Sequence, residues 1–115
     1  MIKSKSELYR LLSSLFPTRE GGFGGSRTMP AMPYISYFYT GSDNTPADNR
    51  VYSRTGDFRI ELYSPIATAD SDRNKLERAL NDNEVYFESN ESPLKEYGAV
   101  LSSYEISIYI KESEE

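Results

Sequence analysis

The chain has 115 residues and a formal net charge of −5, from 13 basic and 18 acidic side chains. This length predicts a single domain over 1–115, because domains typically contain roughly 100–200 residues. The chain has no cysteine and no histidine, which excludes a disulfide scaffold, cysteine-ligated metals and any triad that requires imidazole. We therefore expect no catalytic residue, no metal site and no cofactor. The 10 tyrosines and 5 phenylalanines are too many for a disordered chain.

No stretch is apolar enough to predict a membrane span, which needs about 20 apolar residues. A signal peptide requires an uninterrupted apolar run, and Glu7, Tyr9 and Arg10 interrupt the N-terminal one. We expect a cytoplasmic protein with no membrane partner. The acidic charge balance also argues against duplex binding, which normally needs a basic patch.

The first predicted element is a helix over residues 3–16. Leu8, Leu12 and Phe16 recur on one face at the 3.6-residue period. Ser4 or Ser6 could cap this helix, and Ser4 is followed three residues later by Glu7, which is the spacing of a capping box. A flexible glycine-rich loop is predicted over 17–32. It lacks the Gly-Lys-Ser/Thr of a P-loop, so it is either a plain surface loop or a segment that orders on a partner.

Strands are predicted over 34–40 and 50–64, joined by a turn over 41–49 that is rich in Gly, Asp, Asn and Pro. The first strand is aromatic or apolar on both faces. In the second, apolar and polar residues alternate, and Gly56 predicts a bulge or a bend.

The second half of the chain predicts a helix over 70–82 that Asp70 or Ser71 would cap. Strands over 84–89 and 97–110 follow, with a turn between them at 90–93 and a frayed acidic tail over 111–115. The order α-β-β-α-β-β predicts an α+β fold, in which two helices cover one face of an antiparallel-rich four-stranded sheet. The predicted core comprises Leu8, Leu11, Leu12, Leu15, Ile60, Leu62, Leu76, Leu80, Ile106 and Ile108.

Paired carboxylates are the remaining option for catalysis, and Glu61 and Glu105 are the best placed on the predicted strands. A glycosidase would hold such a pair roughly 5–10 Å apart in a cleft. Nothing in the sequence predicts that cleft, and ion pairs with Arg54 or Arg59 explain these residues better. We expect no enzymatic activity.

The tyrosines carry more information, because nearly all lie on or beside predicted strands. Two helices cover only one face of a sheet, so some tyrosines must line the other face. Aromatic side chains interleaved with arginine are typical of interfaces. Simple packing on a pleated sheet and stacking on single-stranded nucleic acid are the alternatives. The predicted subunit or partner contacts are Tyr37, Tyr39, Asp43, Asn44, Asp48, Asn49, Arg54, Arg59 and Tyr63.

The sequence also resembles a known family. The features that carry the resemblance are Pro-Tyr-Ile at 33–35, Ala-Asp-Asn at 47–49 and the Arg/Tyr-rich strand that ends Glu-Leu-Tyr at 61–63. The opening helix and the charged second helix fit as well. With these features the chain resembles the small tail-terminator or tail-completion proteins encoded by tailed phages and prophages of Gram-positive bacteria. The glycine-rich stretch 20–28 is where it departs from them.

The resemblance implies a virion structural protein that forms a hexameric ring. Such a ring caps the tail tube and joins it to the head connector, so the implied partners are further copies of the chain, the tail tube protein and the connector protein. The implied location is the host cytoplasm during assembly and then the virion. Two alternatives remain: another neck component, such as a head–tail adaptor or stopper, and a module that binds a peptide or single-stranded nucleic acid.

Overall fold

A computed structural model describes residues 2–22, 30–47 and 51–111, with the backbone alone described over 42–47, 51–55 and 109–111. Two short 3-10 turns, Ile66–Thr68 and Lys95–Tyr97, precede the second helix and the last strand. The remaining elements are α1 (Lys5–Leu15), β1 (Thr18–Glu20), β2 (Tyr34–Ala47), β3 (Val51–Pro65), α2 (Ala69–Asp82), β4 (Phe87–Leu94) and β5 (Ala99–Lys111).

The strands form one five-stranded mixed sheet in the order β1-β2-β3-β5-β4. β1 runs parallel to β2, and the other neighbours are antiparallel. The α+β class is confirmed, but the prediction of four strands is wrong. The additional strand, Thr18–Glu20, has three residues, which is too short for a period-2 pattern to be recognised.

The first helix begins and ends as its sequence predicts. The Ser4 hydroxyl accepts a hydrogen bond from the Glu7 backbone N–H at 3.1 Å, and the Glu7 carboxylate accepts one from the Lys3 backbone N–H at 2.8 Å. The first bond satisfies an amide group that the first helical turn leaves without a partner. The second bond is made at Lys3, one residue before the N-cap, so the pair is a capping box shifted by one residue. The helix ends at Leu15, Phe16 is its C-cap and Pro17 comes next. A proline at this position stops a helix.

The prediction that Asp70 or Ser71 caps α2 is wrong. The preceding 3-10 turn brings the N-cap back to Thr68, whose hydroxyl donates to the Asp72 carboxylate at 2.8 Å. Asp70 lies within the first turn and pairs with Arg73 at 2.7 Å, where a carboxylate also suits the helix dipole.

Both helices pack on the same face of the sheet. Leu8 and Leu12 of α1 and Leu76 and Leu80 of α2 are fully buried in the same cluster. The predicted core is confirmed, with Leu11 and Leu15 only partly buried at its margin. From the sheet, this cluster takes Ile35, Tyr37, Phe58, Ile60, Leu62, Tyr104, Ile106 and Ile108.

Two predicted turns are strand instead. β2 runs on through 41–47 and pairs with β3 as far as Ala47 and Val51, which leaves only 48–50 for the connection. β4 runs through 90–93 and pairs with β5 up to Ala99. In both segments the hydrogen bonds to a long neighbouring strand outweigh the local turn preference of Gly, Asn, Asp and Pro. The predicted bulge at Gly56 is also wrong, because the register shift lies between Tyr39 and Gly41 on β2.

Candidate functional site

The two described helices leave the second face of the sheet uncovered, and we call this the open face. Alternate residues of β2, β3 and β5 point to it. The rings of Tyr34 and Tyr63 stack there across the β2–β3 pair, with centroids 5.0 Å apart and planes at 22°. The other side chains of this face are Ser36, Phe38, Arg59, Glu61, Leu101, Ser103 and Glu105.

A cleft of about 740 Å³ opens on this face. The short 3-10 turn before β5 and residues 30–32 form its walls, and the Tyr34–Tyr63 stack forms part of its floor. Among the described residues that line it, Glu61 is the only charged one. Its apolar and aromatic lining consists mainly of Met32, Tyr34, Phe38, Tyr63, Leu94 and Tyr97.

The Tyr63 hydroxyl and the two carboxylates of the open face all have hydrogen-bond partners there. The Tyr63 hydroxyl donates to the Glu61 carboxylate at 3.1 Å. Burial, together with the nearby negative charge of Glu61, raises the pKa of Tyr63 to about 12. Glu105 pairs with Arg59 at 3.0 Å, as the sequence predicts for one of the two carboxylates. Both members of the candidate catalytic pair therefore already have hydrogen-bond partners on this face.

Beyond the helix-covered part of the sheet, which we call the body, β2, β3 and β5 continue as a three-stranded ribbon. It begins where Asp43, Thr55 and Tyr109 align, and comprises residues 43–47, 51–55 and 109–111. β1 pairs with β2 only at 35–37, and β4 pairs with β5 only up to Ile106. Within the described chain, no strand pairs with the outer side of β2 over 38–47 or with the β4 side of β5 over 107–111. We call these the β2 edge segment and the β5 edge segment.

The structure distributes the predicted contact residues over three places. Arg59 and Tyr63 lie on the open face. Tyr37 and Tyr39 lie on the helix-covered face, where Tyr37 is 3% exposed and Tyr39 is 45% exposed. Tyr37 is thus enclosed by the subunit itself and presents almost no surface to a partner. Asp43, Asn44 and Arg54 lie in the ribbon, and Asp48 and Asn49 lie outside the described residues.

Sequence reasoning missed part of the cleft. The period-2 alternation of β2 places Tyr34 and Phe38 on one face, but it gives no register against β3 that would bring Tyr34 onto Tyr63. Leu94 and Tyr97 carry no sequence signal for this role, because they follow residues that read as a turn. Neither of the two described helices is long and apolar enough to cross a membrane. Within residues 2–22, 30–47 and 51–111, no three acidic side chains converge as metal ligands would.

The chain matches no known protein-family profile and no curated protein sequence. The fold defines an α+β domain whose sheet is longer than the layer of helices that covers it. Two surfaces are candidates for function: the open face with its cleft, and the ribbon with its two edge segments.

Proposed function

We propose that this protein is a tail-terminator or tail-completion subunit of a phage or prophage. In this role it forms a ring, hexameric by the family resemblance, that caps the tail tube and joins it to the head connector. It acts as a structural protein without catalysis. It assembles in the host cytoplasm and remains in the neck of the virion.

The observation that carries the proposal is that the sheet extends beyond the two helices that cover it. One face bears a cleft lined by aromatic side chains, and three strands continue as a ribbon beyond the strands that flank them. Exposed aromatic clefts and unpaired strand edges favour association with other chains. A ring also needs two different side surfaces on each subunit, because its contacts are heterologous.

The net charge of −5 fits a passage for DNA. Negative walls do not bind phosphates, so DNA would pass without being retained. We therefore propose an acidic lumen. A density map of the assembled ring in which lysines and arginines line the lumen would contradict this part of the proposal.

Another neck component, either a head–tail adaptor or a stopper, would use the same surfaces. The difference lies in the tail tube: a terminator binds its open end as well as the connector, whereas an adaptor binds the connector and not the tube end. Mixing the purified chain with tail tubes and with connectors separately distinguishes the two by which complex sediments.

The second candidate function is a peptide-binding module, and the cleft favours it. A pocket of about 740 Å³ with aromatic walls and a single carboxylate resembles small-ligand and peptide sites in size and lining. Single-stranded nucleic acid is the weaker ligand, because Glu61 and Glu105 lie on the same face and would repel phosphates.

Light scattering of the purified chain over a range of concentrations, with electron microscopy of the same samples, tests the proposal. We expect a mass of about six subunits by the resemblance, and ring-shaped particles. A chain that stays monomeric at every concentration and also in the presence of tail tubes would overturn the proposal and favour the binding module.

A further inference from the structure

The sheet ends in two edge segments on opposite sides of the ribbon, and both lack partners among the described residues. A row of unpaired backbone N–H and C=O groups is a template for another strand. Natural proteins protect such edges by keeping them short or by placing charges and proline on them. The question is whether these two edges are protected.

The other exposed edges of this sheet are protected. β1 has only three residues. The outer strand β4 carries Glu88, Glu91 and Pro93, its side chains are mostly exposed, and Glu91 is paired with Arg73. These are the devices that prevent strand addition.

The two edge segments differ from β4. The β5 edge segment, 107–111, reads Ser-Ile-Tyr-Ile-Lys and has no charge before its last residue. The β2 edge segment, 38–47, has a single charged residue, Asp43, and a single proline, Pro46. Both segments have unpaired backbone N–H and C=O groups and few charged side chains, so both can accept a neighbouring strand.

Exposed tyrosines lie in or near both segments. Tyr39, 45% exposed, lies within the β2 edge segment and makes an edge-to-face contact with Phe58 at 5.4 Å. Tyr86, 78% exposed, lines the same surface pocket as Ser107, where the β5 edge segment begins. Exposed tyrosines are typical anchors of interfaces.

We propose that the β5 edge segment of one copy pairs with the β2 edge segment of the next copy, so that the ribbons join into one continuous sheet. The occupant is a second copy of this chain because a single head-to-tail contact then satisfies both edges of every subunit, whereas a different partner would satisfy only one. The inference rests on the proposed ring function, since head-to-tail contacts close into a ring or extend as a filament.

Strand directions fix the form of the contact. β2 and β5 are both antiparallel to β3, so they run in the same direction. Copies related by rotation about an axis along the ribbon keep that direction, and the new pair of strands is therefore parallel. The joined ribbons would form a barrel with three strands from each copy, and its interior would be the lumen of the ring.

Disulfide trapping tests this contact well, because the chain has no cysteine of its own. We would combine Ser107→Cys with a cysteine at each position from 38 to 47 in turn, which covers every register and both faces. Within one subunit, β3 separates β2 from β5, so their backbones are about 9.5 Å apart. A disulfide needs Cα atoms closer than about 7 Å, so every disulfide that forms joins two copies.

The proposal predicts a ladder of covalent multimers in the double variants and none in the single-cysteine variants. The reactive positions should alternate with a period of 2, because only one strand face meets Ser107→Cys. The matched control replaces Ser107→Cys with Ser89→Cys on the protected edge strand β4, and it should give no ladder.

Each contrary outcome overturns a defined part of the account. Dimers of a single-cysteine variant would mean a symmetric edge-to-edge contact, which contradicts the head-to-tail pairing. Rings by light scattering without any disulfide across 38–47 would overturn the strand pairing and leave the ring function intact. A ladder formed by open filaments, with no ring, would support the pairing and overturn the ring function.

Discussion

The body and the ribbon of this protein are built from the same three strands, yet they differ in how many backbone hydrogen bonds of those strands have partners. In the body, β3 is paired on both sides, β1 flanks β2 at 35–37, β4 flanks β5 up to Ile106, and two helices cover one face. In the ribbon, β3 is paired with β2 throughout and with β5 from Ser53, while β2 and β5 each have one side without a described partner. The body contains the covered core, whereas under the proposed pairing another copy would supply the hydrogen bonds that the described residues do not give the ribbon.

Because of this difference, we expect different residues to determine the stability of the monomer and its association with other copies. Substitutions in the body should change the free energy of unfolding of the monomer. Substitutions along the edge segments should leave that free energy nearly unchanged and alter association instead.

Leu12→Ala should lower the free energy of unfolding by about 2–5 kcal/mol, because it removes a fully buried side chain from the centre of the core and leaves a cavity. Urea titration measures the effect. The neighbouring Ser13→Ala, on the exposed side of the same helix, should change the value by less than about 0.5 kcal/mol. Equal effects from the two substitutions would contradict the assignment of the covered face.

Tyr104→Phe should alter the response to alkaline pH. The Tyr104 hydroxyl donates to Glu77 at 2.8 Å, and burial, followed by that bond and the Glu77 charge, raises its pKa well above the ordinary value. Above about pH 10 the unfolded chain loses this proton while the folded chain keeps it, so stability falls as pH rises. The slope contributed is at most about 1.4 kcal/mol per pH unit.

The measurement is urea unfolding at several alkaline pH values. Tyr104→Phe should make the decline shallower than it is in the parent chain. An identical decline in the Tyr104→Phe variant and the parent chain would show that this hydroxyl is not held protonated by the fold.

Ser102→Ala should be neutral or should stabilise the protein by up to about 1 kcal/mol. The Ser102 hydroxyl is buried and has no hydrogen-bond partner within the part of the chain that the structure describes. An unsatisfied buried hydroxyl costs about 1–3 kcal/mol in desolvation. Thermal unfolding of this variant beside Ser103→Ala, which lies on the open face, checks the prediction; a clear loss of stability specific to Ser102→Ala would contradict it.

Thr45→Lys should change the free energy of unfolding of the monomer least, by less than about 0.5 kcal/mol, and association most. A lysine on an edge strand opposes pairing with a second strand. Light scattering should show that the variant loses the multimers of the parent chain. Asn90→Lys, on the protected edge strand β4, is the control and should assemble normally. Multimers that persist in Thr45→Lys would place the subunit contact elsewhere.

The sequence predicts well those features that local chemistry decides. The first helix follows from Ser4, Glu7, Pro17 and its leucine spacing. The covered face of β3 follows from the alternation of Phe58, Ile60 and Leu62. These residues act within one element, so no knowledge of the partner strand is needed.

The features that depend on pairing were not predictable in the same way. Residues 41–47 and 90–93 have turn composition, yet they are strand because β3 and β5 are long enough to bond them. The cleft requires Tyr34, Tyr63 and Tyr97 to converge from three parts of the chain, and only the register brings them together. The sequence predicted Arg59 and Tyr63 for the open face, but gave no means of placing Tyr37 inside the core.

Hydrogen–deuterium exchange is the most direct test of the central claim that the edge segments are where copies meet. The outward-facing amides of 38–47 and 107–111, which do not bond to β3, should exchange slowly in the assembled parent chain and rapidly in monomeric Thr45→Lys, because pairing with a second strand protects them. The amides on the outer side of β4 should exchange rapidly in both. Rapid exchange of the outward-facing amides of both edge segments in the assembled protein, with protection gained elsewhere, would contradict the account.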